Sequence, residues 1–177
     1  MAKESPLSLT ITKLDAARRQ IDAAVSLWFQ EGDPLAVHML IAGGHHLCND
    51  MTGKKVSFLW NNSLCPPEHR KALIAYLVRV ENFCKHAEKN DPDTVEIDPD
   101  FTALYAVDSI ELFLHLNGRM TDLMFAFRTR FTFATPHYYK ASFTQATQDY
   151  AIAGWERLSR AEYFKEFLHL LNRIRGK

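Results

Sequence analysis

The chain has 177 residues, 47% of them hydrophobic and 24% charged, with 21 Lys and Arg against 21 Asp and Glu. That length suits one domain with its own core, and the composition excludes intrinsic disorder, which needs low hydrophobicity and high net charge. Seven Gly and seven Pro exclude a collagen-like or low-complexity chain, and a formal charge of zero argues against a broad nucleic-acid coat built on clustered cations, leaving room for a local basic groove.

Residues 1–11 are expected to be a flexible lead. Leu14, Ala17, Ile21, Ala24, Val25, Trp28 and Phe29 then fall on one stripe of a helix. Thr12 can cap it, with Asp15 completing a variant capping box, and Gly32 is expected to end it. Asp33-Pro34 starts a second helix, in the preferred order of N-cap and then proline, that reaches Asp50 or Met51. The third begins at Pro66-Pro67 and carries Leu73, Leu77, Val80, Cys84 and Ala87 at steps of three and four. Ile74 and Val78 lie on another side of it, which predicts burial on two flanks and a central position. A polar loop, NDPDTVEIDPD, leads to Asp98-Pro99, the start of a fourth helix ending at Asn117-Gly118. A fifth spans Thr121 to Ala134, rich in Phe. A weaker helical pattern covers His137 to Glu156, and Ser159 with Glu162 forms a capping box for a last helix with an apolar face of Tyr163, Phe164, Phe167, Leu168, Leu171 and Ile174. No segment alternates with period two and none repeats. The expected fold is all-α, a single-domain helical bundle of six or seven helices.

Cys48, Cys65 and Cys84 make an odd number without a CxxC pair, which fits reduced thiols. The opening residues lack the apolar run of a signal peptide, and no stretch approaches the roughly 18 apolar residues of a membrane span. The expected setting is the cytoplasm, with no membrane partner.

Chemistry concentrates at the end of the third helix. At 100° per residue, Arg79, Asn82 and His86 fall within about 60° of one another and form one polar ridge beside Tyr76 and Phe83. Such a ridge suits phosphodiester chemistry: His exchanges a proton near neutral pH, Arg stabilises developing phosphate charge and Asn positions a hydroxyl. The plainer reading is a helix end whose His interacts with the dipole and whose Arg and Asn satisfy neighbouring backbone groups. Arg79, six residues and His86 in an all-α chain resemble the Arg-x(4 to 6)-His motif of the HEPN superfamily, many of whose members are metal-independent ribonucleases acting as dimers. The resemblance implies that Arg79 and His86 face a partner's copies across a cleft and cleave RNA through its own 2′-hydroxyl. It covers one helix end and departs from the family in having Val80 after the arginine. The segment Asn82-Phe83-Cys84-Lys85-His86-Ala87 with the following Asp-Pro is also similar to a set of uncharacterised bacterial proteins, which implies no activity.

Against RNA stand Glu88, Asp91, Asp93, Glu96, Asp98 and Asp100, a carboxylate run that would repel phosphates unless Arg79, Lys85 and Lys89 outweigh it. Arg157, Arg160, Arg173, Arg175 and Lys177 could form a basic wall; a solvated face is preferred. His38, His45 and Asn49 line up on the second helix, and Glu111, His115 and Asp108 on the fourth, but Glu-x-x-His and His-x-x-x-His signs are missing there. Cys65 and His69 lack a second pair for zinc. No metal or cofactor site is therefore expected, and whether His38, His45, Asp108, Glu111 and His115 converge depends on the fold. Gly43-Gly44 inside a helix costs roughly 1 kcal/mol per glycine relative to alanine, which close helix approach would offset. Tyr138, Tyr139 and Trp155 lie outside strong periods and are candidates for an oligomer contact. The leading expectation is a domain that self-associates as a homodimer through an aromatic helix face; the alternative is a HEPN-like ribonuclease of the toxin or phage-defence type, with His86 as proton-transfer group, Arg79 as phosphate stabiliser and Asn82 as orienting residue.

Overall fold

Local capping chemistry sets the helix starts. In the computed structural model, which describes residues 8–53, 56–59, 67–86, 93–134 and 154–176, Thr12 and Asp15 form a reciprocal capping box that opens α1 (Lys13–Phe29). Asp33 accepts from the Ala36 amide and Pro34 takes the first turn of α2 (Pro34–Met51). Next comes α3 (Pro67–Lys85). Asp98 caps α4 (Pro99–Asn117), and Gly118 ends it at φ 71. After α5 (Asp122–Ala134) and a short 3-10 turn at Trp155–Arg157, Ser159 and Glu162 box the start of α6 (Arg160–Ile174). Among the described residues six α-helices form an all-α bundle and there is no strand. The helical pattern read over residues 137–153 lies outside the described residues.

The end of α1 differs from expectation. It closes at Phe29, before Gly32, and the left-handed residue is Glu31 at φ 54. The Gly32 amide donates to the Leu27 carbonyl at 2.9 Å and the Glu31 amide to that of Trp28 at 3.2 Å, so the turn is a Schellman motif in which glycine sits one place late.

Packing centres on α1, α2 and α4. Ten residues of α4 are buried, whereas α3 buries Leu77, Val80 and Glu81 and leaves Cys84 exposed. So α3 is peripheral: its stripe is read correctly at Leu77 and Val80, but Ile74 and Val78 are only half-buried and the second flank is not closed. The α1–α2 contact is tight because α2 presents glycines. A Cβ on Gly44 would come within 2.7 Å of Ile21 Cγ1 and 3.3 Å of the Ala17 carbonyl, and one on Gly43 within 2.7 Å of the Gln20 amide oxygen. Aromatic rings join α1, α5 and α6: Trp28 meets Phe127 edge-on at 4.7 Å, and Phe29 stacks on Phe164 at 4.6 Å. Trp155, expected at an oligomer contact, packs within the chain, 5.3 Å from Tyr163; Tyr138 and Tyr139 lie outside the described residues. Asp22 accepts from Thr121 at 2.6 Å and Arg175 grips Asp122 through two 2.8 Å bonds, fixing α5 and α6 to the rest.

Candidate functional site

Two groups of polar side chains stand out, one on the surface and one inside. On the surface, Arg79, Asn82 and His86 are all exposed along α3 and its first following residue. The His86 amide still donates to the Asn82 carbonyl at 2.9 Å, so the helical register carries through and the shared ridge is preserved. Arg79 lies over the Tyr76 ring, 5.4 Å from its centroid. Tyr76 in turn sits 4.9 Å from Phe101, which is 39% exposed at the first turn of α4. The Tyr76 hydroxyl also accepts from the Asp98 amide, anchoring the start of α4 against α3. Exposed Glu96, whose carbonyl accepts from the Tyr76 hydroxyl at 3.4 Å, and Asp100 lie at this patch and Asp93 is exposed further back; Glu88, Lys89 and Asp91 lie outside the described residues.

Inside, α2, α3 and α4 share a polar network that the sequence indicated only in fragments. Fully buried His38 is 3.2 Å from the Leu77 carbonyl and 2.9 Å from the Thr102 hydroxyl. A carbonyl can only accept, so Nε2 carries the proton and Nδ1 of the neutral ring receives the Thr102 hydroxyl. Burial lowers the His38 pKa, outweighing the Leu77 bond and the Glu81 charge that act the other way. His45 donates to Asp108 at 2.6 Å, and the same carboxylate takes the Ser57 hydroxyl and, at 2.8 Å, the Phe58 amide. The Tyr105 ring lies 4.5 Å from His45 and 5.9 Å from His38, while its hydroxyl reaches Glu81 at 3.2 Å. Glu81 also binds His46 at 2.7 Å and Lys85 at 3.2 Å. Burial alone would raise the Glu81 pKa, but hydrogen bonds and charges from His46 and Lys85 bring it below the usual carboxylate value.

Ser57, Asp108 and His45 have the residue types of a hydrolytic triad but not its order. Ser and His both donate to the carboxylate, so the imidazole cannot take the serine proton, and all three are fully buried. The network is therefore a clamp between helices. Of the candidate ligands, His45 and Asp108 meet, but Glu111 pairs with Arg128, His115 is exposed and His38 has the partners just described. Among the described residues no three His, Cys, Asp or Glu side chains group to hold a metal; Cys65 and the His69 side chain lie outside them. Of the cations expected in a basic wall, Arg175 pairs with Asp122 and Arg160 covers the Trp28 ring at 4.2 Å, Arg157 and Arg173 are exposed, and Lys177 lies outside the described residues.

Sequence reasoning missed Glu81, Tyr105 and Ser57. Glu81 had a signal, a carboxylate four residues after Leu77 on an apolar stripe. Comparison with protein-family models, curated proteins and solved structures returns no match.

Proposed function

We propose that this protein is a self-associating helical interaction module, two copies meeting through the outer face of α3 and the first turn of α4. The observation behind the reading is exposed Phe101 packed on half-buried Tyr76, whose ring lies under the Arg79 guanidinium. Aromatic rings with an arginine are what interface hot spots are made of. Charges of both signs are exposed at the patch: Arg79 on α3, and Glu96 and Asp100 on either side of the Asp98 amide that Tyr76 holds. About a two-fold axis the cations of each copy would meet the carboxylates of the other. A cytoplasmic setting accompanies this reading, supported by Cys48 and Cys84 both being free thiols, the latter exposed, and no described helix is long and apolar enough to cross a membrane. Light scattering at tens of micromolar is expected to give twice the 20.4 kDa chain mass, and Phe101→Asp is expected to give monomers that keep their helical spectrum. A monomeric wild type would reject the proposal.

The exposure of Arg79, Asn82 and His86 on the same face favours a second reading, a metal-independent ribonuclease active as that dimer. Among the described residues the side chains of Asn82 and His86 make no hydrogen bond, which leaves them available to a substrate. The RNA 2′-hydroxyl would attack the adjacent phosphorus, with His86 moving the proton and Arg79 holding the phosphate charge. Cleavage in the presence of a chelator that disappears in His86→Ala would establish this reading; intact RNA would leave the interaction module standing alone.

A further inference from the structure

Where α1 turns into α2, Trp28, Glu31, Pro34, Val37, Thr102 and Arg160 enclose a cleft of about 410 Å3, a size in the range of roughly 300–1,000 Å3 typical of small-molecule sites. Its polar groups are few and of opposite sign. Arg160 is held by the face of Trp28, 4.2 Å from the ring centroid, and neither it nor Glu31 is in an ion pair among the described residues. Both groups line the same cleft.

Thr102 lies at the floor with its hydroxyl already engaged, 2.9 Å from His38 Nδ1 and 3.3 Å from the Asp98 carbonyl. Beyond Trp28, Val37 and Thr102 the lining becomes wholly apolar, with Ala24, Val25, Ile41, Ala103, Ala106 and Phe127 forming a narrow seam.

We infer that this cleft binds a small zwitterion of the amino-acid type, carrying one carboxylate, one ammonium and an apolar side chain. The carboxylate pairs with Arg160, the ammonium with Glu31, and the side chain lies against Trp28 and Val37 at the mouth of the seam. A simple anion would meet the Glu31 charge uncompensated, and a simple cation would meet Arg160, so each half-molecule is disfavoured by the group that serves the other half.

The test is calorimetry on the full chain with L-leucine, L-methionine and L-phenylalanine, beside 4-methylpentanoate and 3-methylbutylamine, which are leucine without its ammonium and without its carboxylate. At least one amino acid is expected to bind, L-leucine more tightly than either half-molecule by about tenfold or more, and Arg160→Gln and Glu31→Gln each to weaken the bound amino acid by about tenfold or more. Both variants are checked for an unchanged helical spectrum. The inference is overturned if none of the three amino acids binds at about 10 mM, if a half-molecule matches leucine, or if both folded variants bind like wild type.

Discussion

Single residues carry stability in opposite directions here. Glu31 holds a left-handed backbone that penalises a Cβ, so Glu31→Gly is expected to raise stability by about 0.5–1 kcal/mol, after allowing for the looser unfolded chain; urea unfolding reads the difference. His38 acts through pH. Its folded pKa lies below the usual 6.5 because it is buried, so between those two values the unfolded state binds the proton and the folded state does not. Stability is then fully present above about pH 6.5 and falls as pH drops below it, by at most about 1.4 kcal/mol per pH unit for this group. Unfolding midpoints measured from pH 8 to pH 5 should show that decline, and His38→Gln should flatten it. Glu81 adds a second, lower window: its depressed pKa means its contribution is present above the unfolded carboxylate value and is lost as pH falls through the folded one.

At the scale of elements, the glycine pair in α2 separates two effects that composition merges. Alanine at either position gains about 1 kcal/mol of helix propensity. At Gly44 the new methyl meets Ile21 and the Ala17 backbone, which cannot yield, whereas at Gly43 it meets the end of a flexible Gln20 side chain. Gly44→Ala is expected to destabilise by about 1–2 kcal/mol net and Gly43→Ala to be near neutral, a contrast thermal denaturation resolves. Asp108 joins α2, α4 and the 56–59 segment by accepting three donors on two oxygens. Asn in its place turns an amide N–H₂ toward at least one of those donors, and Asp108→Asn is expected to cost about 2–4 kcal/mol. The sequence made the helix starts legible because a cap is local: Thr12, Asp33, Asp98 and Ser159 each bond within three residues. It made the rank of the helices illegible, since the regular stripe of α3 says which face is apolar but not how many neighbours cover it.

For the whole molecule, the formal charge is zero, so association through the α3 face would depend on local pairing of opposite charges and should follow salt accordingly. Raising ionic strength from about 0.05 to 0.5 M shortens the screening length to a few ångströms and is expected to weaken the proposed dimer several-fold, as sedimentation equilibrium would report. The all-α bundle could be read from period and composition. The ridge of Arg79, Asn82 and His86 could be placed on one face for the same reason, because three residues on one helix need only the helical repeat. The cleft at Trp28, Glu31, Thr102 and Arg160 could not, since those residues come from α1, the turn after it, α4 and α6 and meet only where those segments pack together.

The bond from the Phe58 amide to Asp108 makes a loop behave as core. An amide in a turn ordinarily trades its proton with solvent within seconds by local fluctuation, but this one is freed only when α2 and α4 separate around the carboxylate. Its hydrogen-exchange rate should therefore match that of buried α4 amides such as Ile110, reporting cooperative opening rather than loop motion. In Asp108→Asn the two should part, with Phe58 exchanging like its surroundings while Ile110 stays slow.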